Sequence, residues 1–150
     1  PFSVAAAKRQ NQFLQRWKIG SGQVDDPALW AYVHGTGKPV LYSNGFRKPI
    51  HWELQQVGTL EMGCISKYPT PLDEALLLLD EVRHAPRWGW STHTGSTVDA
   101  MRAVEFGADA LEVHVCWDKR QGGPDVSSAL TVDELGQVVE YMQRREAQFA

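Results

Sequence analysis

The feature that most constrains this chain is a regular alternation of short apolar runs with helical segments, at intervals of about 20 to 25 residues. Each run is rich in aliphatic or aromatic residues and is closed by small or polar ones, which is typical of a buried parallel strand. Five strands are predicted, over residues 17–20, 39–43, 60–66, 88–93 and 110–115. The alternation therefore predicts an α/β fold whose parallel strands are joined by right-handed crossovers.

Helix-start and helix-stop residues mark the segments between the strands. The predicted helices cover residues 26–33, 70–84, 96–106 and a segment that begins at Thr131, with a weaker pattern over residues 48–57. Thr131 and Glu134 have the spacing of a capping box. Gly107 follows the third helix, where glycine favours a left-handed C-terminal cap.

The composition indicates one soluble globular domain, with 150 residues, 43% hydrophobic and 22% charged. A net charge of -3 and scattered basic residues argue against nucleic acid as a partner, and no apolar run is long enough to span a membrane. Cys64 and Cys116 lie in apolar stretches without CxxC spacing, so we expect buried thiols and a cytoplasmic location. The chain begins without Met on a turn-like Pro1, and we expect it to be a fragment.

Two architectures fit the alternation. A doubly wound open sheet would have a glycine-rich turn entering its first helix, and the GSG at residues 20–22 is a weak match for it. A (β/α)8 TIM barrel places its functional groups at the C-terminal ends of the strands.

Polar residues occur at the C-terminal end of each predicted strand, often two apart and therefore on one face. In chain order they are Lys18 and Ser21, Ser43, Ser66 and Tyr68, Ser91 and His93, and Glu112 and His114. Because strand ends converge on one rim of a barrel, this order favours the barrel.

The residue types at these strand ends suggest two kinds of binding. His93 and His114 end consecutive strands, so both imidazoles could reach one divalent metal such as Mn²⁺ or Zn²⁺. Glu112 could orient an imidazole, bind the metal or pair with Lys18. Lys18 and the serines suit a phosphate or carboxylate. The other histidines are interpreted as surface residues: His34, His51 and His84.

Six segments of the chain resemble the sialic acid synthase (N-acetylneuraminate synthase) family. They are KIGSG at 18–22, GKPVLYSNG at 37–45, CISKYPTP at 64–71, GWSTHT at 89–94, GADALEVHV at 107–115 and GGPDVSSAL at 122–130. The resemblance implies a TIM barrel followed by an antifreeze-like domain. By this likeness, residues 1–150 are a partial barrel, about strands four to eight, without the antifreeze-like domain.

The resemblance also implies an activity, the condensation of phosphoenolpyruvate with an N-acylated amino sugar such as N-acetylmannosamine, with Mn²⁺ as the usual metal. His93 and His114 match the family's metal ligands, and Tyr68 and Asp125 match positions near the sugar. The positions that match phosphoenolpyruvate contacts are Lys18, Ser21, Ser43, Ser66 and Ser91. Gln23, Glu112 and Tyr68 are the candidate catalytic positions, and the full-length family implies a homodimer.

Three positions depart from the family pattern. Gln23 stands where the family usually has Glu, and an amide cannot transfer a proton at neutral pH. Thr92 replaces a carboxylate next to His93, and Val113 stands where Lys or Arg is common. Two alternatives therefore stay open: a degenerate, non-catalytic homologue that binds metal or phosphosugar, and another phosphoenolpyruvate-dependent aldol-type barrel.

Overall fold

A computed structural model describes residues 1–46 and 58–149 of the protein, and the chain divides into two compact units, Pro1–Met62 and Gly63–Ala150. The helix predicted over residues 48–57, and the interpretation of His51, lie outside the described residues. Across the described ranges, we find no helix with the length and apolar character needed to cross a membrane.

The first unit alternates helices with parallel strands. Its elements are α1 (Val4–Gln10), β1 (Trp17–Ile19), α2 (Pro27–Gly35), β2 (Val40–Ser43) and β3 (Thr59–Gly63), the last ending at the boundary between the units. The strands follow the chain order β1-β2-β3. The Asp26 side chain accepts the backbone N–H groups of Ala28 and Leu29 at 3.0 Å, and Pro27 occupies the first turn. The predicted start of this helix is therefore confirmed.

Two fully buried tryptophans organise the core of the first unit. Trp17 Nε1 donates to Thr36 Oγ1 at 2.9 Å, and Trp30 Nε1 donates to the Val24 carbonyl at 2.8 Å. Each indole thus buries its rings without leaving its N–H unpaired. His34 stacks on Trp30 with ring centroids 5.2 Å apart and is half-buried, so its interpretation as a surface residue is wrong. His84 is exposed, as expected.

The second unit repeats the alternation. Its elements are α3 (Leu72–Val82), β4 (Gly89–Thr92), α4 (Thr97–Glu105), β5 (Ala110–Cys116), β6 (Ala129–Thr131) and α5 (Val132–Phe149). The strands are parallel and follow the order β4-β5-β6. Gly107 has the expected left-handed φ of 82°. The capping box is confirmed, because Thr131 N–H donates to Glu134 Oε2 at 2.7 Å and Glu134 N–H donates to Thr131 Oγ1 at 3.2 Å.

The strand prediction needs two corrections. It missed β6, a three-residue strand that follows a glycine-rich and polar segment and is too short to show an alternating pattern. It also extended two strands too far: β3 stops at Gly63, so Ser66 and Tyr68 lie in a loop, and β4 stops at Thr92, one residue before His93.

A buried carboxylate connects β4 to α4 in the second unit. Asp99 is 0% exposed and accepts hydrogen bonds from Trp90 Nε1 at 2.9 Å and from Thr94 Oγ1 at 2.7 Å. Trp90 itself packs in an apolar cluster with Leu79 and Ala103. Of the two cysteines, Cys64 is buried as expected, whereas Cys116 is partly exposed, so the expectation of a buried thiol there is wrong.

Candidate active site

Lys18 and Ser43 form a cation–hydroxyl pair in the first unit. The side chains leave the paired strands β1 and β2, and Lys18 Nζ donates to Ser43 Oγ at 2.8 Å and to the Ile19 carbonyl at 3.4 Å. Ser43 is 3% exposed. Since its oxygen accepts the lysine proton, the proton of the Ser43 hydroxyl is not used in this bond. The pair therefore has the donors that a phosphate or carboxylate requires.

Ser21 and Gln23 lie in the turn that follows β1. Ser21 Oγ accepts the Gly45 backbone N–H at 2.8 Å, so the hydroxyl is held in place by the loop after β2. The Gln23 backbone N–H donates to the Gly20 carbonyl at 3.0 Å, and a Cβ added at Gly20 would lie 3.6 Å from Gln23 Oε1. The Gln23 side chain therefore folds back over the turn that carries Ser21.

The two predicted metal ligands lie side by side in the second unit, with the ring centroids of His93 and His114 5.3 Å apart. His93 Nδ1 is 2.7 Å from the Ile65 carbonyl oxygen. A carbonyl can only accept, so Nδ1 carries the proton and Nε2 carries the lone pair of the neutral ring. This is how histidine ligands of metals are commonly held, with one ring nitrogen on a backbone carbonyl and the other directed at the metal.

Tyr68 covers this pair of imidazoles. Its hydroxyl is 3.1 Å from His93 Nε2, its ring centroid is 4.2 Å from that of His93, and it meets the His114 ring edge-on at 5.7 Å. Burial raises the pKa of Tyr68 above its ordinary value, and Coulomb interactions with Cys64, Asp125 and Glu112 act in the same direction. The side chain therefore remains a phenol at neutral pH and donates to His93.

Ser91 and Glu112 are directly opposite each other on β4 and β5, and Ser91 Oγ donates to Glu112 Oε1 at 2.8 Å. A hydroxyl has one proton, so in this arrangement Ser91 gives it to the carboxylate and not to an anionic ligand. This contact with a serine hydroxyl is not among the three roles considered for Glu112, and those roles stay predictions.

The remaining predicted site residues in the second unit are more exposed. Asp125 Oδ2 is 3.9 Å from His114 Nδ1, which is too long for a hydrogen bond and within the range of an ion pair if the imidazole is protonated. Ser66 is half-buried in the loop between β3 and α3 that leads to Tyr68. The predicted residues thus fall into one set in each unit: the first unit's set is Lys18, Ser21, Gln23 and Ser43, and the second unit's set is Ser66, Tyr68, Ser91, His93, Glu112, His114 and Asp125.

Thr92 has a different environment from its neighbour His93. It is buried, and by strand alternation it faces the side of β4 that carries Trp90. Its oxygen accepts the Thr94 backbone N–H at 3.2 Å and lies 3.2 Å from Thr94 Oγ1. Thr92 therefore belongs to the network around Asp99, and proximity in the sequence to His93 does not place it beside the imidazoles.

The donor set fits a divalent metal in part. His93 Nε2 and His114 are two adjacent nitrogen donors of the kind that Mn²⁺ or Zn²⁺ accepts. In the part of the chain that the structure describes, no three groups among the His, Cys, Asp and Glu side chains are gathered closely enough to hold a metal. Two imidazoles would therefore need water or substrate oxygens as further ligands.

Backbone groups without a side-chain signal hold the His93 ring and the segment around it. The Ile65 carbonyl fixes its tautomer, and the Thr70 backbone N–H donates to the His93 carbonyl at 2.8 Å. Gly95 has a φ of 68°, and a Cβ there would lie 2.4 Å from the Ser127 carbonyl oxygen. Only the glycine carries a sequence signal, because backbone carbonyls and amides have no side-chain pattern.

Known proteins resemble this chain along its length. The sequence model of the NeuB family matches residues 1–149. An uncharacterized protein of Methanocaldococcus jannaschii is 32% identical over 135 residues, which cover 82% of this chain and 40% of the relative. The pseudaminic acid synthase of Helicobacter pylori is 27% identical over 159 residues, which cover 96% of this chain and 46% of that protein. The chain therefore spans less than half the length of these curated relatives.

A solved structure resembles the fold. The N-acetylneuraminic acid (sialic acid) synthetase of Leptospira borgpetersenii serovar Hardjo-bovis, crystallised in complex with citrate, matches with a TM-score of 0.82 at 20% identity. The match covers 100% of this chain and 56% of that chain. Together with the parallel strands and intervening helices, it confirms the predicted α/β fold class, a partial TIM barrel.

Proposed function

Because the chain belongs to the NeuB family, the family of the sialic acid synthases, we propose that the protein is a nonulosonic acid synthase. The proposed reaction condenses phosphoenolpyruvate with an N-acylated amino sugar, such as N-acetylmannosamine, and releases phosphate. The observation that supports it most is the His93–His114 pair, in which the Ile65 carbonyl holds the His93 ring with Nε2 as the acceptor nitrogen. The cytoplasm is the proposed compartment, and a homodimer the proposed assembly.

The residues of the first unit suit the anionic substrate. Phosphoenolpyruvate carries a phosphate and a carboxylate, and Lys18 supplies a positive charge next to the hydroxyl of Ser43. The lysine also donates to the serine oxygen, which polarises the hydroxyl and makes it a stronger hydrogen-bond donor. Ser21 presents a second hydroxyl that the Gly45 amide holds in place.

The residues of the second unit suit a metal and a sugar. His93 Nε2 and His114 would hold a divalent cation, for which we propose Mn²⁺, and when bound it would supply Lewis acidity to the aldehyde oxygen of the open-chain sugar. Tyr68 and Asp125 present a phenol and a carboxylate for sugar hydroxyls or the N-acyl group. Glu112 holds the Ser91 hydroxyl in place. Each turnover forms one carbon–carbon bond, consumes one water and releases one phosphate.

The test is an assay of phosphate release by the complete natural protein with Mn²⁺, phosphoenolpyruvate and a panel of N-acylated amino sugars. We expect release that depends on one of the sugars and that is lost in His93→Ala and His114→Ala, while Tyr141→Phe, on α5 next to Glu105, keeps it. Absence of release with every acceptor would contradict the proposed synthase activity.

Gln23 favours a second candidate function, a non-catalytic homologue that binds metal or phosphosugar. The amide follows Ser21 by two residues in the turn after β1, where an acid or base would be needed and an amide cannot serve. Gln23→Glu separates the two candidates. A rise in phosphate release supports the synthase, whereas metal binding without turnover in both forms supports the binding protein.

A further inference from the structure

We propose that Tyr68 competes with the metal for His93, so that the phenol covers the ligand nitrogen until a metal displaces it. The inference rests on the proposed metal site at His93 and His114 and goes beyond it. It assigns to Tyr68 control over metal affinity, in addition to any contact with a substrate.

The competition follows from the single lone pair of His93. Nδ1 donates to the Ile65 carbonyl at 2.7 Å, and Nε2 is then the one ring nitrogen that can accept. The Tyr68 hydroxyl lies 3.1 Å from Nε2. That lone pair points in one direction in the ring plane, so it holds either the phenol proton or a metal. A flip of the ring that offered Nδ1 instead would break the bond to Ile65.

The surroundings of Tyr68 allow it to leave. The side chain is 47% exposed, so it can rotate toward solvent without opening a cavity in the core. The loop that carries it stays anchored, because Thr70 N–H donates to the His93 carbonyl at 2.8 Å and Thr70 Oγ1 donates to the Lys67 carbonyl at 2.8 Å. The exchange therefore requires a side-chain rotation and no movement of the backbone.

The exchange links metal binding to the substrate contact proposed for Tyr68. In the described structure its hydroxyl is engaged by His93, and with a metal on Nε2 that hydroxyl becomes available to another acceptor. A ligand that accepts from Tyr68 would then bind more tightly when the metal is present, and by linkage the metal would bind more tightly when that ligand is present.

The test measures Co²⁺ and Mn²⁺ affinity of the complete natural protein by calorimetry, with Co²⁺ absorption as a direct signature of imidazole coordination. Tyr68→Phe keeps the ring and removes the competing proton, so the dissociation constant should fall by roughly 3- to 10-fold, as expected for loss of one neutral hydrogen bond. Tyr141→Phe is the matched control, since it removes a phenol in the same unit that donates to Glu105 at 2.8 Å, and its affinity should equal that of the native protein. An unchanged metal affinity in Tyr68→Phe would overturn the proposal. A weaker metal affinity would also overturn it, because it would mean that the Tyr68 hydroxyl is itself a metal ligand.

His93→Ala distinguishes this inference from the proposed function. If it abolishes the Co²⁺ signature while Tyr68→Phe leaves affinity unchanged, the metal site stands and the competition by Tyr68 fails. If it leaves metal binding unchanged, the metal is not at His93, and both the proposed metal site and the competition are wrong.

Discussion

The serines of the two units differ in whether their hydroxyl accepts or donates the hydrogen bond that holds it. In the first unit, Ser43 accepts from the Lys18 ammonium and Ser21 accepts from the Gly45 amide, so neither bond uses the proton of the serine. In the second unit, Ser91 gives its proton to Glu112. The same residue type thus accepts a hydrogen bond from a donor group in one unit and donates to a carboxylate in the other, and its hydrogen-bond partner decides which.

The difference extends to the other side chains. The first unit's set has an ammonium group, whereas the second unit's set has two imidazoles, the carboxylates of Glu112 and Asp125, and a phenol. Oxygen and nitrogen acceptors suit a cation, and ammonium and hydroxyl protons suit an anion. The comparison therefore supports the proposal that phosphoenolpyruvate binds to the first unit's set and the metal to the second unit's set.

Among the contacts proposed for phosphoenolpyruvate, the Lys18 charge should have the largest effect. Lys18→Met keeps most of the side-chain volume, and we expect kcat/KM for phosphoenolpyruvate to fall by roughly 100- to 1,000-fold, because an interaction with a charged, partly buried group is lost. Steady-state phosphate release measures it. Lys8→Met, on the exposed face of α1, should match the native protein. Loss of Mn²⁺ affinity in Lys18→Met would break the assignment of anion and metal to separate sets.

The backbone approach at Gly95 should matter next, because it fixes the segment that follows His93. Gly95→Ala combines a left-handed φ of 68° with a Cβ 2.4 Å from the Ser127 carbonyl, and we expect the free energy of unfolding to fall by about 3 to 5 kcal/mol. Gly107→Ala has a similar φ of 82°, and among the residues that the structure describes no atom lies within 4 Å of the added Cβ, so it should lose only about 1 kcal/mol. Urea unfolding followed by tryptophan fluorescence compares them. Equal losses of unfolding free energy in the two variants would mean that the Ser127 carbonyl does not exclude a Cβ at position 95.

The opposite functions of the serines can be tested directly. Ser43→Ala removes a hydroxyl that the lysine polarises, so we expect KM for phosphoenolpyruvate to rise by about 10-fold, near the upper range for one hydrogen bond. Ser91→Ala removes a hydroxyl whose proton goes to Glu112, and KM should change by less than about 3-fold. Similar increases in both variants would mean that Ser91 turns toward the anion, which would remove the contrast between the units.

The sequence was sufficient for the parts of this structure that depend on local patterns. The capping box at Thr131, the proline start at Asp26 and the glycine cap at Gly107 each depend on residues close in the chain. The adjacency of His93 and His114 was also predictable, because consecutive parallel strands are neighbours.

The sequence was insufficient where the partner is a distant backbone group or where a strand ends. The Ile65 carbonyl that orients His93 leaves no side-chain pattern, and the bond from Ser91 to Glu112 depends on the register of β4 against β5. Strand β6 has three residues, which is too short for an alternating pattern to be recognised in the sequence. These features arise from tertiary packing, which local propensity does not encode.

Thr92 is the position where the sequence-based expectation and the structure differ most, and it should give the smallest functional effect. As a replacement for a carboxylate next to His93 it suggested impaired chemistry, yet its side chain bonds to Thr94 in the network that ends at Asp99. We expect Thr92→Ala to lower the free energy of unfolding by about 1 kcal/mol, the value of one buried hydrogen bond.

Metal affinity and phosphate release of Thr92→Ala should stay within about 2-fold of the native protein, since no hydrogen bond that orients the His93 imidazole is removed. His93→Ala, one residue away, is the positive control for lost metal binding. A metal dissociation constant changed by 10-fold or more in Thr92→Ala, by roughly 1.4 kcal/mol, would show that position 92 acts on the imidazoles and that the second unit's set extends to both faces of β4.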